Sequence, residues 1–97
     1  MKAPAECQNM TELRVEIDAL DGQIVAMLKR RAGYIDRAAE LKPAEGLPAR
    51  IADRVEEVVD NVRARAEIEG LDPALVEAIW RLMIDWSIAR EEKVLGA

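Results

Sequence analysis

Arg14, Arg31, Lys42 and Arg54 are spaced 17, 11 and 12 residues apart, and Ser87 and Glu91 follow downstream at a spacing of four. Two of these cations keep unusual company. Arg31 and Lys42 share one face of a helical projection with Ile35 and Ala38, because eleven residues at about 100° each return to within roughly 20° of the same direction. Their Cα atoms would stand about 16 Å apart, a gap that two long side chains leaning inward narrow to the size of a small anion. Cations on an apolar seam suit carboxylate binding and stabilisation of negative charge developing on oxygen. The plain alternative is that both stems lie along the edge of a core and keep their charges in water.

Arg14 adds a constraint of distance. It precedes Arg31 by 17 residues, or about 25 Å of helix, so one chain cannot bring both to one small molecule. An antiparallel partner could lay its own Arg14 beside the first chain's Arg31 and Lys42; otherwise Arg14 is a solvated surface residue. Arg54 sits one turn from Ile51 and Val58, at the border of an apolar stripe, where a rim salt bridge to a nearby Glu is the simpler role. Ser87 and Glu91 lie on the side shared by Trp80 and Ile84, where a carboxylate is either a solvated edge or a functional polar group.

What the sequence lacks narrows the chemistry. It contains no His, which removes the commonest general base, the Ser-His and Cys-His nucleophiles and the commonest zinc ligand. Cys7 is the single cysteine, so neither a disulfide framework nor a thiolate metal cluster is expected, and a reducing compartment fits. No metal and no cofactor is expected. A formal net charge of −5, with 34% charged residues, argues against a nucleic-acid partner. The start shows no apolar run of signal-peptide length, and charges interrupt every later apolar stretch; a soluble, cytoplasmic protein that does not enter membranes is expected.

These residues need elements to carry them. A single domain of 97 residues, 51% hydrophobic but only 3% aromatic, builds its core from Leu, Ile, Val, Ala and Met, a helical palette. Leu13, Ile17, Leu20, Ile24, Met27, Leu28, Ile35 and Ala38 recur at three- and four-residue steps and predict one long helix over about 11–42. Thr11 is its expected N-cap and Pro43 its expected stop. PAEGLP over 43–48 reads as a loop. A second helix is expected over about 49–68, ended by Gly70, and a third over about 73–94, capped by Asp72 with Pro73 in its first turn. A first helix this long, in a chain this short, invites a partner copy.

The quartet Arg14, Arg31, Lys42 and Arg54 resembles the substrate-binding pattern of the all-α chorismate mutases, and the similarity covers nearly the whole chain. LRVEIDALDGQIVAMLKRRAGYI and LDPALVEAIWRLMIDWSIAREEK are similar to that family's first and third helices. MKAP..C at the start, Tyr34 and W.IA...K near the end resemble the isochorismate-pyruvate lyases, which share the fold. The resemblance implies an all-α, three-helix chain in an intertwined homodimeric bundle, with Arg14 donated across the interface. It implies that Arg14, Arg31 and Arg54 bind the two carboxylates of chorismate or isochorismate. Lys42 would contact a carboxylate and the ether oxygen whose C–O bond breaks. Ile35, Ala38 and Ile88 would supply apolar walls, with Ser87 and Glu91 as polar contacts. Arg31, Lys42 and Glu91 are the expected catalytic groups. Both family reactions are pericyclic, which accounts for a site without His: the work is substrate preorganisation and charge stabilisation.

Three positions depart from the family's bacterial mutases. Glu91 stands where Gln usually hydrogen-bonds the ether oxygen, and a carboxyl can donate that bond only when protonated. Ile51 and Val55 stand where an Asp and a Glu usually meet the substrate hydroxyl, which moves the pattern toward the lyases. The first reading nevertheless remains a chorismate mutase converting chorismate to prephenate, because the lyases share the pocket and the mutase step is needed far more widely. The second is an isochorismate-pyruvate lyase forming salicylate and pyruvate, and the third a non-catalytic helical dimerisation or regulatory module.

Overall fold

The computed structural model describes residues 1–96, and among these it is all-helical. A 3-10 turn at Pro4–Glu6 precedes helix α1 (Met10–Glu45), helix α2 (Ala52–Glu69) and helix α3 (Pro73–Leu95). None of these helices is long and apolar enough to cross a membrane. The chain divides into two compact units, residues 1–33 and residues 34–97.

The first unit holds the start of α1 and the segment before it. The helix opens at Met10, one residue earlier than expected, with Asn9 and not Thr11 as its cap. Asn9 Oδ1 accepts from Glu12 N at 2.9 Å, and Glu12 Oε2 reaches back to accept from Gln8 N at 2.8 Å. Glu12 thus satisfies a second amide ahead of the helix, as in a capping box, and also pairs with Lys2 at 3.2 Å. No residue of this unit is buried. Ile17, Leu20, Ile24, Met27 and Leu28, the seam read from the sequence, are between 42% and 63% exposed.

The second unit contains the core. Ala49, Val59, Ile84 and Ile88 are buried together, and Val55, Val58, Trp80 and Leu95 pack on them. Alternating turns of α2 and α3 therefore supply most of the interior, and truncating Ile84 or Ile88 to Ala would cost about 2–5 kcal/mol. The final turns of α1 belong to this unit, and Ala39 is their buried residue.

Pro43 does not end α1, contrary to expectation. Proline forfeits its own ladder hydrogen bond, but the last carbonyls are satisfied from beyond the helix: Gly46 N donates to Pro43 O at 3.2 Å and Leu47 N to Lys42 O at 3.0 Å. This is a Schellman arrangement with Gly46 left-handed at φ 68°, so the glycine and not the proline sets the end. Gly70 closes α2 the same way, through Gly70 N to Glu67 O and Leu71 N to Ala66 O. The connection after α1 accordingly runs over 46–51, not 43–48, and α2 begins at Ala52, three residues later than expected. The reason is Ala49, whose carbonyl is taken by a side chain instead of a helical amide. Helix α3 starts as expected, with Asp72 Oδ1 accepting from Ala74 N at 2.9 Å.

A charged network ties α2 to α3 on the outside. Arg81 donates to both oxygens of Glu56 at 3.0 and 3.2 Å and to Glu77 at 2.7 Å, while Arg63 holds the other oxygen of Glu77 at 2.7 Å. The Arg81 hydrogen bonds hold both carboxyls below their ordinary value of 4.5. Groups whose proton affinity falls on folding stabilise the fold above that value and lose the contribution as pH drops through the depressed one. Thermal melts from neutral pH down to about 3 should therefore show a declining acid limb. Arg81→Gln should flatten that limb, by a modest amount because the pairs are exposed.

Candidate active site

Lys42, in the last turn of α1, is brought against α3. Its ammonium lies 2.7 Å from Glu91 Oε1 and donates to the Ala49 carbonyl at 2.8 Å. The side chains are 15% and 5% exposed, so both charges are largely withdrawn from water. The ammonium approaches Oε1 within ion-pair distance but away from the direction a hydrogen bond requires, leaving that buried oxygen without a hydrogen-bond partner. Electrostatic attraction is insensitive to that angle, so the pair is real while the oxygen's lone pairs stay underused. An ammonium has three N–H groups. Ala49 takes one, and the ion pair holds the ammonium beside the Glu91 carboxylate.

The surroundings are apolar. Ile84 and Ile88 precede Glu91 on one face of α3 and are 6% and 5% exposed. Ser87 is buried among them at 4% exposure and donates from Oγ to Met83 O at 2.8 Å, a back-bond within the helix. Ile35 and Ala38, on the seam that leads to Lys42, are half-buried, as are Ile51 and Val55.

Not every expected residue is gathered there. Arg54 is 61% exposed and pairs with Glu57, one turn along α2, which is the rim salt bridge considered from the sequence. Arg14 is exposed and Arg31 half-buried, both on α1 within the first unit. Two contributors escaped the sequence reading. The Ala49 carbonyl is a backbone atom in a connection, for which residue types give no signal. Asp36 meets Arg90 of α3 through two contacts of 2.6 and 3.0 Å; opposite charges 54 positions apart show no pattern before folding. No group of three or more His, Cys, Asp or Glu that could hold a metal occurs among the described residues.

Within the second unit, then, a buried cation stands beside a carboxyl against an apolar wall. Residues 13–92 match the family model described as chorismate mutase type II. The chain belongs to that family. Within the chorismate mutase type II family it is 37% identical to the isochorismate pyruvate lyase of Pseudomonas aeruginosa over 97 residues, covering 96% of this chain and 91% of that protein. It is 30% identical over 91 residues to the 4-amino-4-deoxychorismate mutase of Streptomyces venezuelae, covering 94% and 88%. A bifunctional chorismate mutase/prephenate dehydratase of Aquifex aeolicus is 32% identical over 91 residues, and there the match covers 90% of this chain but 25% of the longer relative. The chain is thus an enzyme of the chorismate mutase family, and its described residues form three α-helices, as the resemblance implied.

Proposed function

We propose that the protein is a chorismate mutase, converting chorismate to prephenate in a pocket around Lys42 and Glu91. The observation that carries this is the buried Lys42–Glu91 pair, whose carboxyl Oε1 has no hydrogen-bond partner. In the rearrangement the ether C–O bond breaks as a C–C bond forms in one cyclic step, so no protein nucleophile is needed. Negative charge grows on the ether oxygen, where a desolvated ammonium stabilises it most. Arg31 and Arg54 bind the two carboxylates, and the apolar side chains press the enolpyruvyl arm over the ring. Arg54 reaches the ligand by leaving Glu57, and an exposed pair of that kind is worth under about 1 kcal/mol.

Arg14 completes the site from a second copy. Support comes from the first unit, where Ile17, Leu20, Ile24, Met27 and Leu28 stay open to solvent within one chain. A helix rarely stands in water with such a seam uncovered, and an antiparallel copy covers it while placing its Arg14 at the neighbour's pocket. A dimer working in the cytoplasm, on a small dicarboxylate and without nucleic acid or membrane, is the reading this supports.

Glu91 is placed as the counter-ion of Lys42, and it must take up a proton to donate to the ether oxygen. Glu91→Gln, whose amide donates at any pH, is expected to remove whatever pH dependence the carboxyl imposes on turnover. Identical pH profiles for the two proteins would remove Glu91 as the donor.

A second reading, cleavage of isochorismate to salicylate and pyruvate, is favoured by half-buried Ile51 and Val55, which offer the ring hydroxyl no polar contact. The deciding experiment gives the purified protein chorismate and isochorismate in parallel and follows prephenate and salicylate. Prephenate as the dominant product supports the mutase, and salicylate the lyase. Neither product, with no binding of a bicyclic diacid transition-state mimic at millimolar concentration, would leave a non-catalytic helical module.

A further inference from the structure

Asp36 follows the seam residue Ile35 on α1, and Arg90 immediately precedes Glu91 on α3. Arg90 Nε lies 2.6 Å from Asp36 Oδ1 and Nη2 lies 3.0 Å from Oδ2, a two-pronged contact that fixes the guanidinium in its own plane. Trp86, one turn earlier on α3, holds the face of the same group, with Cζ 5.3 Å from the ring centroid. The pair lies at the surface, with side chains 45% and 47% exposed, where an ordinary ion pair lets both side chains wander. This one is held at edge and face, and Arg90 keeps the Asp36 carboxyl below its ordinary range.

The end of α1 meets α3 through two polar ties, Asp36–Arg90 and Lys42–Glu91. They lie six residues apart on α1, about 9 Å along its axis. Two anchors on one rigid helix define both its axial register and its rotation, whereas one anchor leaves a pivot. Lys42 carries its charge on a flexible four-carbon stem, and misplacement of about 1 Å is enough to cost much of a preorganised site's rate.

We propose that the Asp36–Arg90–Trp86 cluster is a positioning device for the reaction, setting the register of α1 on α3 and through it the placement of the Lys42 ammonium against Glu91. It touches no substrate and acts only through those two groups. The inference rests on the enzymatic reading given above.

The test is a double-mutant cycle with Asp36→Asn, Arg90→Gln and the combined variant, together with Trp86→Leu, measured well below each melting temperature on whichever substrate the wild type turns over. Each single charge variant is expected to lose about tenfold in kcat with KM changed less than about twofold, because ground-state binding by the arginines persists. The combined variant should lose no more than either single one, since both remove the same tie. Trp86→Leu, which keeps the ion pair, should lose less, about threefold. Unchanged kcat in both single variants, strictly multiplicative losses in the combined one, or a loss confined to melting temperature would each overturn the positioning role. A wild type that turns over neither chorismate nor isochorismate is a separate result: it sinks the enzymatic reading, and the cluster then has no reaction to serve.

Discussion

Lys42→Met should lower kcat by roughly a hundred- to a thousandfold, the loss expected when one preplaced donor to a developing oxyanion is removed. Methionine keeps most of the stem and deletes the charge. The substitution strips an ammonium from the Ala49 carbonyl and leaves Glu91 buried without its counter-ion. A buried carboxylate deprived of its partner costs about 3–5 kcal/mol, so melting temperature should fall alongside rate. Steady-state kinetics and thermal melts on the same preparation separate the two effects. Retained turnover in a folded Lys42→Met protein would place the chemistry elsewhere. The companion variant carrying both Lys42→Met and Glu91→Gln should recover stability without activity, because a neutral amide needs no counter-ion.

Mixing two inactive variants should restore activity. In a dimer whose pockets each take Lys42 from one chain and Arg14 from the other, Arg14→Ala and Lys42→Met are both nearly inactive alone. A mixed dimer has one pocket with both defects and one with neither. With random exchange at equal concentrations, half of the dimers are mixed, so about one quarter of the wild-type activity should return. A pocket made within one chain predicts no recovery on mixing. The result therefore bears directly on where Arg14 acts, independently of which diacid is the substrate.

The helical order of the fold was legible because apolar residues recurring at three- and four-residue steps mark one face of a helix, although in the first unit that face stays exposed within one chain. Helix ends were less so. Pro43 was read as a stop because proline disfavours helical geometry in the residue before it, yet Gly46 governs the end through two amides that only the folded backbone places. Ser87 and Glu91 were recognised as a pair on one face, but their burial depends on how α2 and α3 dock. The partners of the charged groups were the least legible. Lys42 with Ala49 and Asp36 with Arg90 join segments that have no periodic relation, and Arg54 found the near partner that sequence spacing already offered. Local pairing can be read off a helix; long-range pairing depends on the packing that brings two helices together.

The dimer proposed above, which covers the exposed seam of the first unit, would give the protein's stability a concentration scale. Apolar side chains that find cover only in a second copy contribute nothing to an isolated chain, so mass action governs how much of their burial is realised. Dilution should lower the melting temperature, and specific activity should fade over the same range of concentration, since the pocket loses its borrowed arginine as the seam loses its cover. Folding, assembly and catalysis would then share a single dissociation constant.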